Sequence, residues 1–320
     1  MENLLFSINA TAPVFALMVL GYLFRKIGLI DEKAASWMNS FVFKAALPVL
    51  VFKDLAGQDF AGTWNGKYVL FCTLVTAASI AGIALLSKWI VHDRAKRGEF
   101  IQSSYRSSAA LLGIAFIHNI YGDTAVGMGP LMILGSVPLY NIFAVIVLML
   151  TAEGREDAAK DRSALLRSTL RGIVTNPIII GIAVGLLWSL LGIPQPKIFQ
   201  TVVTDLSVLA TPLGLMSMGA TFDFKKALGD VKPALIAAFI KLFALAAIFL
   251  PLAVALGFAG EQIVAVLVML GSATTVSCYI MAKSMGHEGT LSSSVIMLTT
   301  FGCSFSLTLW LYVLRCLGVI

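Results

Sequence analysis

The stretch from Pro13 to Gly28 reads PVFALMVLGYLFRKIG, and the stretch from Pro177 to Gly192 reads PIIIGIAVGLLWSLLG. Each is followed by a polar joint and a second apolar stretch that carries a central proline. The matching positions are all 164 residues apart, and they are Pro13 and Pro177, Gly21 and Gly185, Gly28 and Gly192, Pro48 and Pro212, and Asp59-Phe60 and Asp223-Phe224. A constant offset without a gap indicates an internal repeat built from a pair of apolar helices.

The composition excludes an ordinary soluble protein. The 320 residues are 58% hydrophobic and only 12% charged, whereas soluble domains carry about 25% charged residues. The mean hydropathy is +0.91, and the apolar residues fall in blocks of about 20, the length that crosses a bilayer as a helix. These features predict an all-α, polytopic membrane protein.

The N-terminus, the cysteines and the net charge argue against a signal peptide, disulfides and a nucleic-acid partner. The first cation is Arg25, so the N-terminal segment lacks the basic start of a cleaved signal peptide and we expect it to be retained. The four cysteines have no CxxC spacing, which argues against disulfides and a metal site. No cofactor is expected, and the net charge of +6 is better explained by loop charges than by a nucleic-acid partner.

Ten apolar spans are predicted, at 7–26, 36–56, 67–89, 101–121, 128–150, 173–192, 199–221, 233–256, 263–283 and 292–315. They divide into a first five-helix repeat at 1–152, a charged linker at 153–172 and a second five-helix repeat at 173–320. One set of alternate loops holds 16 of the 23 Lys and Arg residues, and the opposite set holds four. By the positive-inside rule the linker is cytoplasmic and both termini lie outside. Five is an odd number, so the two repeats are expected to be inverted.

Four of the spans are predicted to be irregular. Pro48 and Pro212 lie inside spans 2 and 7, where proline removes a helical hydrogen bond and can act as a hinge, although a tolerated kink is an open alternative. Spans 4 and 9 contain Gly113 and Gly271 among small and polar residues. Backbone that unwinds at membrane depth must line a cavity or be buried in protein.

Several motifs carry a resemblance to a known family: ALPVLVF in span 2, RSSAALLGIAF in span 4, TNPIIIGIAVGLL in span 6 and ATPLGLMSMGATF in span 7. The whole chain resembles the auxin efflux carrier family, specifically its bacterial members of malonate-permease type. The resemblance implies discontinuous helices 4 and 9 that cross near the bilayer middle, transport of small organic anions, and a bacterial inner-membrane location. The sequence departs from the family pattern at Ala115 and Ala273, which replace the usual crossover prolines, and at Ser108, which replaces an asparagine.

The candidate site residues fall into two sets. Polar and small residues beside the suspected breaks are predicted to line a substrate site, and they are Ser108, Gly113, Asn119, Asn141, Gly271, Ser272, Thr274, Thr275 and Ser277. Charges within spans are costly and typically functional, and they are Lys44, Arg106, Asp205 and Lys241. The cations could instead extend toward water, the acid could pair with a lysine, and any single hydroxyl could simply bond to its own helix.

These observations favour a secondary active transporter that moves a small carboxylate by alternating access, with lipid as its surroundings. A channel or sensor on a similar fold stays open as an alternative. An intramembrane enzyme is less favoured, because no HExxH or GxSxG motif occurs, and a nucleotide-driven pump lacks its GxxxxGK[ST] loop. The sequence leaves a homodimer open.

Overall fold

A computed structural model describes residues 2–57, 64–109, 117, 120, 121, 127–152, 167 and 170–320. The described residues form helices and no strands, which confirms the all-α prediction. The helices are α1 (Glu2–Lys26), α2 (Glu32–Ala56), α3 (Gly66–Ile90), α4 (Arg94–Tyr105), α5 (Met128–Thr151), α6 (Pro177–Leu190), α7 (Lys197–Ala220), α8 (Phe224–Gly229), α9 (Val231–Ala255), α10 (Glu261–Gly271), α11 (Ser277–Ser284) and α12 (Thr290–Cys316).

The helices have the length and composition of a membrane protein. Among the described residues, α2, α3, α5, α7 and α9 are each long and apolar enough to cross a bilayer, and α12 makes a sixth although it bends by 44°. Helices α6 and α10 are apolar but shorter, with 14 and 11 residues. Fewer than ten full spans are therefore seen among the described residues, where α4, α6 and α10 are each too short for a full crossing.

Side chains of Asn and Asp fix several helix starts by accepting backbone N–H bonds. Asn176 accepts from Ile178 N at 2.9 Å, directly before Pro177, whose missing N–H costs nothing in the first helical turn. Asp93 accepts from Ala95 N at 3.0 Å and starts α4. The connection between spans 3 and 4, predicted at 90–100, is accordingly much shorter, because α4 already begins at Arg94.

Both centrally placed prolines follow an irregular stretch of helix. In α2 the residues Val42–Ala46 form a π-helical segment just before Pro48. In α7 the regular helix is interrupted at Leu209, just before Pro212. The physical cause is common to both, because the proline ring crowds the carbonyl group four residues earlier.

The two repeats pack against each other reciprocally. A Cβ atom added to Gly185 in α6 would lie 3.0 Å from the carbonyl oxygen of Phe52 in α2. The equivalent positions one repeat away are Gly21 in α1 and Met216 in α7, and there the added atom would likewise collide with the carbonyl oxygen. Glycine thus lets two backbones touch at both places.

The helices form two groups that enclose the functional region. Helices α1, α2, α6 and α7 make the reciprocal contacts, and we call them the paired group. Helices α3 to α5 and α9 to α12 contact one another around the interrupted helices, and we call them the crossover group. One continuous cluster of buried apolar side chains joins the two groups.

Candidate functional site

Two interrupted helices meet in the middle of the crossover group. Helix α4 ends at Tyr105, and the chain is extended at Arg106, with φ −72° and ψ 133°. Helix α10 ends at Gly271, and the chain stays non-helical over residues 272–276 before α11 begins. The two non-helical segments touch, because Ser108 N donates a hydrogen bond to Ala273 O at 2.9 Å.

Neighbouring side chains satisfy the exposed backbone of this crossing. The hydroxyl of Thr274 donates to Ser103 O at 2.7 Å, and Thr274 N donates to Thr299 Oγ1 at 3.0 Å. The amide of Gln102 donates to Cys278 O at 2.9 Å. Unwound backbone is tolerated away from water only when its polar groups have such partners. These hydrogen bonds therefore stabilise the crossing as part of the folded structure.

Lys241 stabilises the end of α10. Its side chain is fully buried, and Nζ donates to Met269 O at 3.1 Å and to Leu270 O at 2.8 Å. These carbonyl groups belong to the last turn of α10, where a helix presents unpaired acceptors and the negative end of its dipole. The buried ammonium group therefore caps the broken helix.

A cavity of about 470 Å³ lies where the crossing faces the paired group. This volume falls within the range of small-molecule sites, about 300–1,000 Å³. Apolar side chains from α2, α5, α6 and α7 form much of its wall. The polar and charged residues that line it are Lys53, Asp54, Arg106, Ser107, Ser108, Tyr140, Asn141, Ser207, Thr211, Thr275 and Ser277.

Arg106 is the buried cation of this cavity. Only 3% of the residue is exposed. Nη2 donates to Asn141 Oδ1 at 2.8 Å and to Ser277 Oγ at 2.9 Å, while Nη1 contacts Met281 Sδ at 2.8 Å. All three partners are uncharged, and the buried Nε atom has no hydrogen-bond partner. A buried guanidinium held by neutral groups leaves its charge uncompensated, which is costly unless an anion joins it.

The structure gathers some of the predicted residues and separates others. The cavity is lined by Arg106, Ser108, Asn141, Pro212, Thr275 and Ser277. Three others belong to the crossing without lining the cavity, namely Gly271, Ser272 and Thr274. Gly113 and Asn119 lie outside the described residues. The first interruption begins at Arg106, earlier than the Gly113 position expected from the sequence.

The predicted charges divide in the same way. Lys44 and Asp205 are exposed and do not line the cavity. The predicted hinge residue Pro48 does not line the cavity either, and its backbone packs against Gly181. Sequence reasoning identified Asp205 as the acid clearly within a span, but Asp54 in α2 also lies within one and lines the cavity. The signal for Asp54 was its place on the same face of α2 as Leu47, Leu50 and Val51. No His, Cys, Asp and Glu cluster able to hold a metal ion occurs among the described residues.

Comparison with known proteins gives a family and two named relatives. The family model described as membrane transport protein matches residues 6–311. The chain is 22% identical over 311 residues to an "Uncharacterized transporter" of Methanothermobacter thermautotrophicus, covering 96% of this chain and 98% of that protein. It is 26% identical over 323 residues to a "Putative malonate transporter" of Rhizobium meliloti, covering 95% and 94%. The match over nearly the whole length shows that the chain belongs to the membrane transport protein family, which is the auxin efflux carrier family.

Proposed function

We propose that the protein is a secondary active transporter that moves a small organic anion through the cavity beside the helix crossing. The observation that carries this proposal is the buried guanidinium of Arg106, whose hydrogen-bond partners are all uncharged. A carboxylate in the cavity would supply the missing negative charge and accept charge-assisted hydrogen bonds. The hydroxyl and amide groups of Ser108, Asn141 and Thr275 line the same space and fit a second polar end of a small substrate.

Alternating access is the mechanism that fits this arrangement. The α2 residues in the cavity wall, from Leu47 to Asp54, all belong to the half of the helix that ends at Ala56. In the other half, Asn39 Nδ2 donates to Ser284 Oγ at 3.0 Å and so ties the paired group to α11. In this proposal the cavity opens toward the Ala56 end of α2 and is closed at the Asn39 end. We take this as one of two states between which the groups move.

The topology proposal extends the same reasoning. Ten membrane crossings, arranged as two inverted five-helix repeats, account for the reciprocal packing and for the lysine- and arginine-rich loops. In this arrangement the midway linker is cytoplasmic, both termini lie outside, and the protein resides in a bacterial inner membrane. The sealed end is then the cytoplasmic one.

The test is ligand binding by the purified protein. Bound ligand raises the unfolding temperature by mass action, so we expect stabilisation by malonate or other small mono- and dicarboxylates. Uncharged methyl esters of the same acids serve as matched controls and should have no effect. Saturable uptake and counterflow in proteoliposomes would then separate a carrier from a channel. If no carboxylate stabilises the protein and none is taken up, the proposal is wrong.

A further inference from the structure

Asp54 is a carboxylate in the cavity wall that has no partner among the residues that the structure describes. It lies in α2, close to the end of the helix at Ala56, and its side chain is half-buried. No hydrogen bond or ion pair to Asp54 occurs among the described residues. The other acids near the crossover group differ, since Glu99 accepts from Gly289 N at 2.8 Å and Ser292 N at 2.9 Å.

The charges that surround Asp54 are few. Helix α6 packs against this half of α2 and carries no ionisable side chain, and the ionisable side chain that α5 contributes to the cavity is Tyr140. The remaining charged groups on this half of α2, on the adjoining part of α7 and across the cavity are Lys44, Lys53, Lys197, Asp205 and Arg106, whereas Glu32 and Lys33 lie at the opposite end of α2. Of these only Lys53 and Arg106 line the cavity with Asp54, and neither forms an ion pair with it.

The charge of the cavity therefore depends on one proton. With Asp54 ionised, the lining carries two cations and one anion, and an entering carboxylate meets a like charge. An ionised carboxylate without a partner is itself costly where burial removes part of its contact with water. With Asp54 protonated, the two cations remain and the repulsion is gone. Proton binding and anion binding therefore favour each other, and the coupling is reciprocal.

We propose that Asp54 is the proton-accepting carboxylate that couples anion movement through this cavity to a proton gradient. The inference rests on the proposed function and names its coupling ion. One proton from the water phase binds to a carboxylate oxygen of Asp54 while one anion binds beside Arg106. Both then leave on the opposite side, so that each turnover moves one proton together with one anion and leaves Asp54 ionised again.

The experiment compares exchange with gradient-driven uptake in proteoliposomes. Labelled malonate is the probe, and the proteins are wild type, Asp54→Asn and Asp205→Asn, the last being a matched loss of an acid on an exposed face of α7. We expect Asp54→Asn to keep malonate counterflow at equal pH, because exchange needs no net proton movement. Accumulation driven by an acidic outside should fall to the level of liposomes without protein, while Asp205→Asn retains it.

Two results would overturn the proposal. One is an Asp54→Asn variant that still accumulates malonate in response to the pH gradient as wild type does. The other is loss of counterflow together with accumulation in a variant that still unfolds at the wild-type temperature, since Asp54 would then belong to the binding site.

A second readout needs no substrate. Every carboxyl group that titrates between acidic and neutral pH adds a C=O band to the infrared difference spectrum, so the readout is the difference between wild type and variant. Asp54→Asn should remove one component, from a protonated carboxyl group partly shielded from water, and Asp205→Asn should retain that component. If wild type neither binds nor exchanges malonate, the proposed function fails for this anion, and this component still decides the role of Asp54. Identical carboxyl bands in wild type and Asp54→Asn reject that role.

Discussion

Replacing Arg106 by glutamine tests whether its buried charge attracts the substrate. Two of its three contacts are good hydrogen bonds, at 2.8 Å to Asn141 and 2.9 Å to Ser277. The third acceptor is the thioether sulfur of Met281, which accepts weakly. A substrate carboxylate that replaces this sulfur gains a hydrogen bond to a charged group, worth about 1.5–3 kcal/mol. Its loss should therefore weaken binding by about 10- to 150-fold.

The assay is calorimetric titration of the purified variant with the carboxylate that stabilises wild type most. Lys44→Gln is the matched control, because Lys44 is an exposed cation in a span and does not line the cavity. Circular dichroism and the unfolding temperature separate a binding defect from misfolding, since the substitution also leaves Asn141 and Ser277 without their donor. A folded Arg106→Gln variant with wild-type affinity would refute the role given to the guanidinium.

Three further predictions concern the fold. Gly21→Ala should destabilise the protein by about 1–3 kcal/mol because the added methyl group overlaps backbone, whereas Gly82→Ala has open space and should not destabilise it in the same thermal unfolding assay. Lys241→Met should cost about 1–3 kcal/mol by leaving the buried carbonyl group of Leu270 unpaired, since Met269 O keeps its hydrogen bond from Tyr140 Oη, and a wild-type unfolding temperature would contradict the capping role. A disulfide between Asn39→Cys and Ser284→Cys should stop transport until it is reduced, while either single variant stays active. Unimpaired transport by the cross-linked protein would show that this end of the cavity does not have to open during transport.

Much of the architecture was predictable because it depends on local pattern. The repeat offset marks Gly21 and Gly185 as equivalent positions, and each packs against the backbone of a helix from the other half of the chain. The interruption after Gly271 followed from a glycine beside small polar residues. The length of the apolar blocks, and not any tertiary detail, indicated a membrane protein.

The rest depended on contacts between residues distant in sequence. Lys241 and Arg106 looked alike as isolated charges in apolar spans, yet one caps α10 and the other lines a cavity. Nothing in the spacing along the chain tells a lysine where another helix will end. Asp54 follows Lys53 close to the end of its predicted span, whereas Asp205 lies well inside its span, yet the side of α7 that carries Asp205 turns outward.

The reciprocal packing also governs how the chain can be made. Helices α1 and α2 enter the membrane early, but the residues that pack against Gly21 of α1 and Phe52 of α2 are Met216 and Gly185, which are synthesised 195 and 133 residues later. At about 5–20 residues per second, the ribosome takes roughly 7–40 s to supply them. During that time the first half has backbone faces that only the second half fits. We expect two separately expressed halves, divided within 153–172, to be unstable apart and to assemble together.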